Sequence, residues 1–169
     1  MIRILYQMFR TGIITEPLQP VVEENIVQAG EKLEEAIAKY FRRSLIIRQV
    51  DAGSCNGCEL EIHAINNSFY NCEQHGIHFT ASPRFADMLL VTGPVSRNME
   101  IALRRTYVAT PSPKLVVAVG ECACNGGVFG ESYASLGGVN KVIPVDVYIR
   151  GCPPAPADIL NGILKAVSK

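Results

Sequence analysis

The chain has 169 residues, and its 16 basic and 16 acidic side chains cancel, so its formal net charge at pH 7 is zero. A domain of this length buries roughly 70% of its unfolded surface, which provides a sufficient core without disulfides. The balanced charge excludes a nucleic-acid partner and a polybasic membrane anchor, because both need an excess of Lys and Arg.

Residues 1–44 are predicted to form a helical extension that precedes the main domain. Apolar residues near its start recur at helical spacing, with Arg3 and Arg10 on the opposite face. Such an amphipathic helix can pack on its own domain, lie on a membrane surface or fill a groove in another subunit. A second helix is predicted over Val22–Phe41, with its acids ahead of its bases. The apolar face of the first helix comprises Ile2, Leu5, Tyr6, Phe9 and Ile13.

Residues 45–169 are predicted to form one α/β domain, because short apolar runs alternate there with helical stretches. Continuous apolar strands are typical of a parallel sheet that is covered by helices on both faces. The predicted fold is therefore a flavodoxin-like, doubly wound parallel sheet with an N-terminal helical extension. Strands are predicted at Leu45–Val50, Ile77–Thr80, Met88–Thr92, Leu115–Val119 and Val142–Tyr148, and helices are predicted to follow Cys58, Ser96 and Pro156.

Four of the six cysteines follow predicted strands. Cys55 and Cys58 come after the first strand, Cys122 after the fourth and Cys152 after the last. Because ligands bind at the carboxyl ends of strands in an open parallel sheet, these thiolates are expected to converge on one point. No export signal is predicted, so we expect a reducing compartment, where cysteines are metal ligands or redox groups rather than disulfides.

Several chemistries suit four converging thiolates. They can hold a structural zinc ion or an iron–sulfur cluster. The glycines beside each candidate and the Cys-Pro at Cys152 favour the cluster, because glycine lets the backbone pass close to a bulky group. A thioredoxin-like dithiol of Cys55 and Cys58 would leave the other two without a role. A flavin phosphate in the same loop is a further alternative, although two cysteines suit a metal better, and unliganded cysteines stay open as well.

The roles of the two other cysteines are predicted from the residues around them in the sequence. Cys124 competes with Cys122 for the second loop, and Cys122 is preferred because it lies closer to the strand end and directly follows Gly120-Glu121. Cys72 lies away from every glycine loop, and we expect it to be a buried small hydrophobic residue.

Residues 45–169 resemble the small, cluster-carrying subunit of [NiFe] hydrogenases and the related B subunit of respiratory complex I. The resemblance rests on four motifs in order: DAGSCNGCELEI, SPRFADMLLVTGPV, GECACNGG and VDVYIRGCPPAPADILNGIL. It implies a flavodoxin-like fold and one [4Fe–4S] cluster, with no catalytic residue in this chain. The implied ligands of the cluster are Cys55, Cys58, Cys122 and Cys152.

One branch of this superfamily is the most similar. Asn56 and Gly57 separate the first two cysteines, as in hydrogenases, whereas complex I subunits carry adjacent ones. Neither the twin-arginine signal nor the cluster-bearing C-terminal extension of uptake hydrogenases is expected here. The sequence therefore resembles membrane-bound, energy-converting (group 4) hydrogenases, including the formate hydrogenlyase type.

The resemblance implies an oxidoreductase subunit that relays electrons between a ferredoxin-like multi-cluster subunit and the nickel–iron large subunit. Integral membrane subunits would complete the complex, and the chain would lie peripherally on the cytoplasmic side of the membrane. The alternative is the equivalent subunit of a complex-I-like quinone or sulfur-compound reductase without nickel. A freestanding zinc or thiol-redox module represents a different class.

Two further positions match the family. Glu61 matches an acidic position just past the second cysteine, and we expect it near the large-subunit interface, where it would compensate charge. Arg84 matches a basic position and would place positive charge near the cluster. The alternatives are an exposed helix glutamate for Glu61 and a helix-entry or salt-bridge role for Arg84.

Overall fold

The computed structural model describes residues 3, 6, 9, 10 and 23–168. Arg3, Tyr6, Phe9 and Arg10 are helical and exposed, and the rest of the predicted N-terminal amphipathic helix lies outside the described residues. The helices are α1 (Glu23–Phe41), α2 (Gly57–Ala64), α3 (Arg97–Ala109), α4 (Glu121–Asn125) and α5 (Pro156–Val167). The strands are β1 (Leu45–Asp51), β2 (Ile77–Phe79), β3 (Met88–Thr92), β4 (Leu115–Val119) and β5 (Val147–Ile149).

The strands form a five-stranded, fully parallel sheet in the order β2-β1-β3-β4-β5. This is the strand order of the flavodoxin-like doubly wound fold, so the predicted fold class is confirmed. All five residues of β3 are buried, which is typical of a central strand with helices on both faces.

Two hydrophobic clusters fill the two sides of the sheet. On one side, Leu33 and Ile37 of α1 pack with Ile62 of α2 and with the buried face of α5. On the other side, Leu103 of α3 packs against the opposite face of β3 and β4. Helix α1 therefore shares the core with residues beyond 44, while a domain boundary at that position stays a prediction.

The predicted last strand was placed wrongly. Val142 and Ile143 are buried, but they follow a 3₁₀ turn at Val139–Lys141, and the strand begins only at Val147. Pro144 lies between the two segments, and proline lacks the N–H that a strand needs for its ladder. Burial without extended structure explains the error.

Within residues 23–168 and the four described residues before them, no helix combines the length and apolarity needed to cross a bilayer.

Candidate metal centre

The register of the sheet brings the predicted cysteine loops to one edge. Asp51 pairs with Thr92, Thr92 with Val119, and Val119 with Ile149, so β1, β3, β4 and β5 end at the same level. Because parallel strands run in one direction, the loops after these residues leave the sheet side by side. This alignment is the structural basis for bringing cysteines from distant parts of the sequence together.

The loop after β1 is shaped by its own polar groups. One carboxylate oxygen of Asp51 accepts hydrogen bonds from the backbone N–H groups of Gly53 and Ser54, both at 2.8 Å. Asn56 then adopts a left-handed conformation, with φ of 71°, directly before α2 begins. Asparagine tolerates this conformation better than most residues. The turn leaves Cys55 exposed and places Cys58 in the first turn of α2, where it is buried.

The loops after β4 and β5 are joined to each other. The N–H of Gly120 donates to the carbonyl of Ile149 at 2.8 Å, and the N–H of Glu121 donates to the carbonyl of Gly151 at 2.9 Å. These two hydrogen bonds extend the pairing of the strands beyond the sheet. They hold Cys122, at the start of α4, close to the loop that carries Cys152.

The structure brings all four predicted ligand residues to one cavity of about 130 Å³. Cys58 and Cys122 are buried at its base, whereas Cys55 and Cys152 are exposed. The cavity is therefore enclosed by protein on one side and bounded by two exposed cysteines on the other. Its other lining residues are Ser54, Gly57, Gly93, Glu121, Gly151 and Pro153.

Glycines keep two of the sulfur atoms free. A Cβ atom at Gly120 would lie 2.5 Å from Sγ of Cys58, and one at Gly127 would lie 2.7 Å from Sγ of Cys122. Both glycines also have positive φ, 88° and 53°, which side-chain-bearing residues rarely adopt. A side chain at either position would fill space that a bulky group bound to the cysteine sulfurs needs.

The donor set and this cradle fit an iron–sulfur cluster. Four thiols are the usual ligand set of a [4Fe–4S] cluster. Within the described part of the chain, no group of three or more His, Cys, Asp or Glu side chains is arranged to hold a metal ion. The sulfurs instead surround a cavity, which suits a cluster in which each cysteine binds a separate iron atom.

Burial disfavours the ionised forms of the inner thiols. It raises the pKa of Cys58 to about 12, with further contributions from the negative charges of Glu59 and the other three cysteines. Burial also raises the pKa of Cys122, followed by the charges of Cys152 and Cys55, while a backbone hydrogen bond from Val128 opposes the increase. Iron must therefore displace protons on binding.

A buried acid beside the site was missed by the sequence analysis. Glu59 is only 5% exposed, and its Oε1 contacts the hydroxyl of the fully buried Thr92. Its Oε2 is buried and has no hydrogen-bond partner. The helical phase could have indicated this burial, because Glu59 lies on the same face of α2 as the buried Ile62, three residues later.

The remaining predicted residues lie outside the cavity lining. Cys124 donates its thiol to the carbonyl of Ile149 at 3.6 Å and does not line the cavity, whereas Cys122 of the same loop does. Cys72 is fully buried, as expected, and its thiol donates to Oδ1 of Asn66. Glu61 is half-buried and Arg84 is exposed; neither lines the cavity, and their functional roles stay predictions.

A larger cavity of about 640 Å³ lies at the opposite end of the sheet. The end of α1 and the residues before β1 and β2 line it, among them Arg42, His75 and Glu73. It contains none of the predicted site residues and no cysteine, and its volume alone does not make it the functional site.

Comparison with known proteins identifies relatives of the whole domain. A model of the family described as "NADH ubiquinone oxidoreductase, 20 Kd subunit" matches residues 55–166, which include all four candidate ligands. The chain is 43% identical over 142 residues to the probable membrane-bound hydrogenase subunit mbhJ of Pyrococcus furiosus, covering 82% of this chain and 85% of that protein.

Two further similarities extend this group. Formate hydrogenlyase subunit 7 of Escherichia coli is 40% identical over 151 residues, which cover 89% of this chain but only 58% of that longer protein. A chain in the structure of the membrane-bound sulfane sulfur reductase, an archaeal respiratory membrane complex, aligns with a TM-score of 0.66 and 34% identity. That alignment covers 79% of this chain and 76% of the other. The relatives thus include subunits of hydrogenase and reductase complexes.

Proposed function

We propose that this chain, which belongs to the family of the NADH ubiquinone oxidoreductase 20 Kd subunit, is the electron-transfer subunit of a membrane-bound [NiFe] hydrogenase. It would hold one [4Fe–4S] cluster through Cys55, Cys58, Cys122 and Cys152. The observation that carries the proposal is that these four thiols line one cavity. Membrane-bound relatives support peripheral association with a membrane complex. The cytoplasmic side of the membrane is part of the proposal.

A bound cluster would supply reversible one-electron transfer, and the residues around it would supply the environment. Cys58 and Cys122 would hold its buried side against the ends of β1 and β4. The N–H of Val128, which points at the sulfur of Cys122, would stabilise negative charge on that ligand. Cys55 and Cys152, being exposed, would mark the side that a partner must cover to exclude water.

The proposed partners are those that the resemblance to hydrogenase subunits implies. Electrons would pass between a ferredoxin-like multi-cluster subunit and the nickel–iron site of a large subunit, in a complex with integral membrane subunits. The catalytic metal site would lie on the large subunit, because the cavity here contains thiols and one carboxylate but no group that could activate hydrogen by itself.

The first test is the metal content of the native complex, purified anaerobically through a tag on this chain. Iron together with nickel is the expected result. Iron without nickel would be consistent with the proposed cluster but would contradict the hydrogenase assignment. The absence of iron would contradict both the cluster and the hydrogenase assignment.

The ligand set has its own test in two matched variants. Cys152→Ser should lose the EPR signal of this cluster and electron transfer, because it removes a sulfur that lines the cavity. Cys72→Ser should retain both, because this residue lies in the core and a hydroxyl can still donate to Asn66. Iron content and electron paramagnetic resonance (EPR) of the reduced complex measure the difference. A Cys152→Ser complex with normal iron would contradict this ligand set.

A second candidate is the equivalent subunit of a sulfur-compound reductase that lacks nickel. The 34% identity to a chain of the membrane-bound sulfane sulfur reductase favours it. Nickel analysis separates the two candidates, and activity with polysulfide in place of protons would support the reductase.

A further inference from the structure

The carboxylate of Glu59 has an unusual environment for a charged group. It is 5% exposed, one oxygen contacts the hydroxyl of Thr92, and the other has no hydrogen-bond partner. Among the ion pairs of the described residues, none involves Glu59. A buried carboxylate with so little compensation is costly, and a group of this kind in a native protein needs an explanation.

The position of Glu59 provides that explanation. It directly follows Cys58 at the base of the cavity, and its partner Thr92 ends the central strand between the cysteine loops. A negative charge buried at this position disfavours the electron added to a redox group in the cavity, because the two charges have the same sign.

We propose that the buried carboxylate of Glu59 lowers the reduction potential of the cluster at this site. The inference rests on the proposed function, since it needs a cluster in the cavity. Reduction adds one electron, supplied in the experiment by dithionite, and no bond forms or breaks. Burial is essential to the effect, because solvent and salt screen an exposed charge much more strongly than a buried one.

Glu35 provides the control. It lies on α1 and is exposed, whereas Glu59 is buried. Each position can carry the same Glu→Gln substitution, which removes the charge and keeps the shape.

The experiment is an EPR-monitored redox titration of the native complex carrying Glu59→Gln or Glu35→Gln. At the wild-type midpoint, Glu59→Gln should increase the ratio of reduced to oxidised cluster about tenfold, which corresponds to a midpoint about 59 mV more positive. Glu35→Gln should change that ratio no more than about twofold, because solvent screens an exposed charge. An unchanged midpoint in Glu59→Gln, or equal shifts in both variants, would overturn the proposal.

A third variant is used if the Glu59→Gln complex does not bind the cluster. Glu59→Asp keeps the charge, and in that case it should bind the cluster with a near-native midpoint. If neither variant binds iron, Glu59 is needed for packing and the electrostatic role is wrong. Absence of the cluster signal in the wild-type complex would instead overturn the proposed function, so the two failures are distinguishable.

Discussion

At the scale of single residues, Gly120 illustrates how closely the backbone approaches the ligands. Its φ of 88° and ψ of 158° lie in a region that is essentially restricted to glycine. A side chain there would also meet Sγ of Cys58. Backbone conformation and steric contact therefore both require glycine at this position.

Gly120→Ala should prevent cluster binding and lower the free energy of unfolding by about 1–3 kcal/mol, the usual cost of a strained backbone. Gly130→Ala is the control, because φ there is 55° and nothing lies within 4 Å of an added Cβ. It should cost about 1–2 kcal/mol through backbone strain alone and retain iron. Iron analysis and chemical denaturation measure both effects. Normal iron in Gly120→Ala would show that Cys58 can move out of the way.

At the residue scale, the position of a side chain could be predicted where it depends on local sequence. The preference for Cys122 over Cys124 rested on the distance from the strand end; of these two cysteines, Cys122 lines the cavity, while its role as a ligand stays a prediction. The contact of Glu59 with Thr92 could not be predicted, because it joins residues 33 positions apart in the sequence. The sequence pattern indicated Glu61 instead, which is half-buried and, like Glu59, lies outside the cavity lining.

At the scale of elements, α5 packs unusually close to β5. A Cβ atom at Gly162 would lie 2.2 Å from Cδ1 of Ile149 and 2.4 Å from Cγ1. This contact matters for the site because Ile149 accepts the hydrogen bond from Gly120. The position of the helix and the geometry of the cysteine loops are thereby linked.

Gly162→Ala should destabilise the protein by about 1–3 kcal/mol through overpacking, although alanine favours a helix more than glycine does. Ile149→Ala creates the missing space and should cost about 2–5 kcal/mol on its own. The destabilisation of the double variant should be smaller than the sum of the two single destabilisations by at least about 1 kcal/mol. Denaturant unfolding of the wild type, the two single variants and the double variant gives the four stabilities of the double-mutant cycle. Strict additivity would mean that α5 shifts without resistance.

Element boundaries were predictable where apolar runs and strands coincide. Met88–Thr92 and Leu115–Val119 match the predicted strands residue for residue, because both are short runs that are apolar except for Thr92. The helix predicted over Val22–Phe41 is described from Glu23 to Phe41. The last strand was less predictable, since Val142 and Ile143 are buried by the turn they follow rather than by strand pairing.

At the scale of the whole molecule, apolar side chains lie on the surface beside the candidate site. Val128 and Tyr133 are 92% and 93% exposed, and both belong to the segment that follows Cys122. The N–H of Val128 also faces the Cys122 sulfur, so this segment is part of the cavity's surroundings. Exposed apolar groups of this kind commonly mark a surface that a partner covers.

Val128→Asp combined with Tyr133→Asp should therefore prevent co-purification of the large subunit that the proposed function requires. Stability of the isolated chain should change by less than about 0.5 kcal/mol, because both side chains are already in water. Val108→Asp, which alters a 78% exposed residue near the far end of α3, should leave the complex intact. Affinity purification and thermal denaturation test these outcomes, and an intact complex in the double variant would place the interface elsewhere.

The separation of the hydrophobic core from the cysteine loops has a consequence for the biogenesis of the subunit. The two buried clusters that hold the sheet include only one of the four proposed ligands, Cys58. Folding of the sheet is therefore expected to proceed without iron, in contrast to small zinc domains that unfold without their metal. A newly synthesised chain is expected to fold first and to receive its cluster afterwards from a cluster-carrier protein. Iron starvation is accordingly expected to leave this chain folded but without its cluster, which far-UV circular dichroism and EPR of the isolated chain would measure.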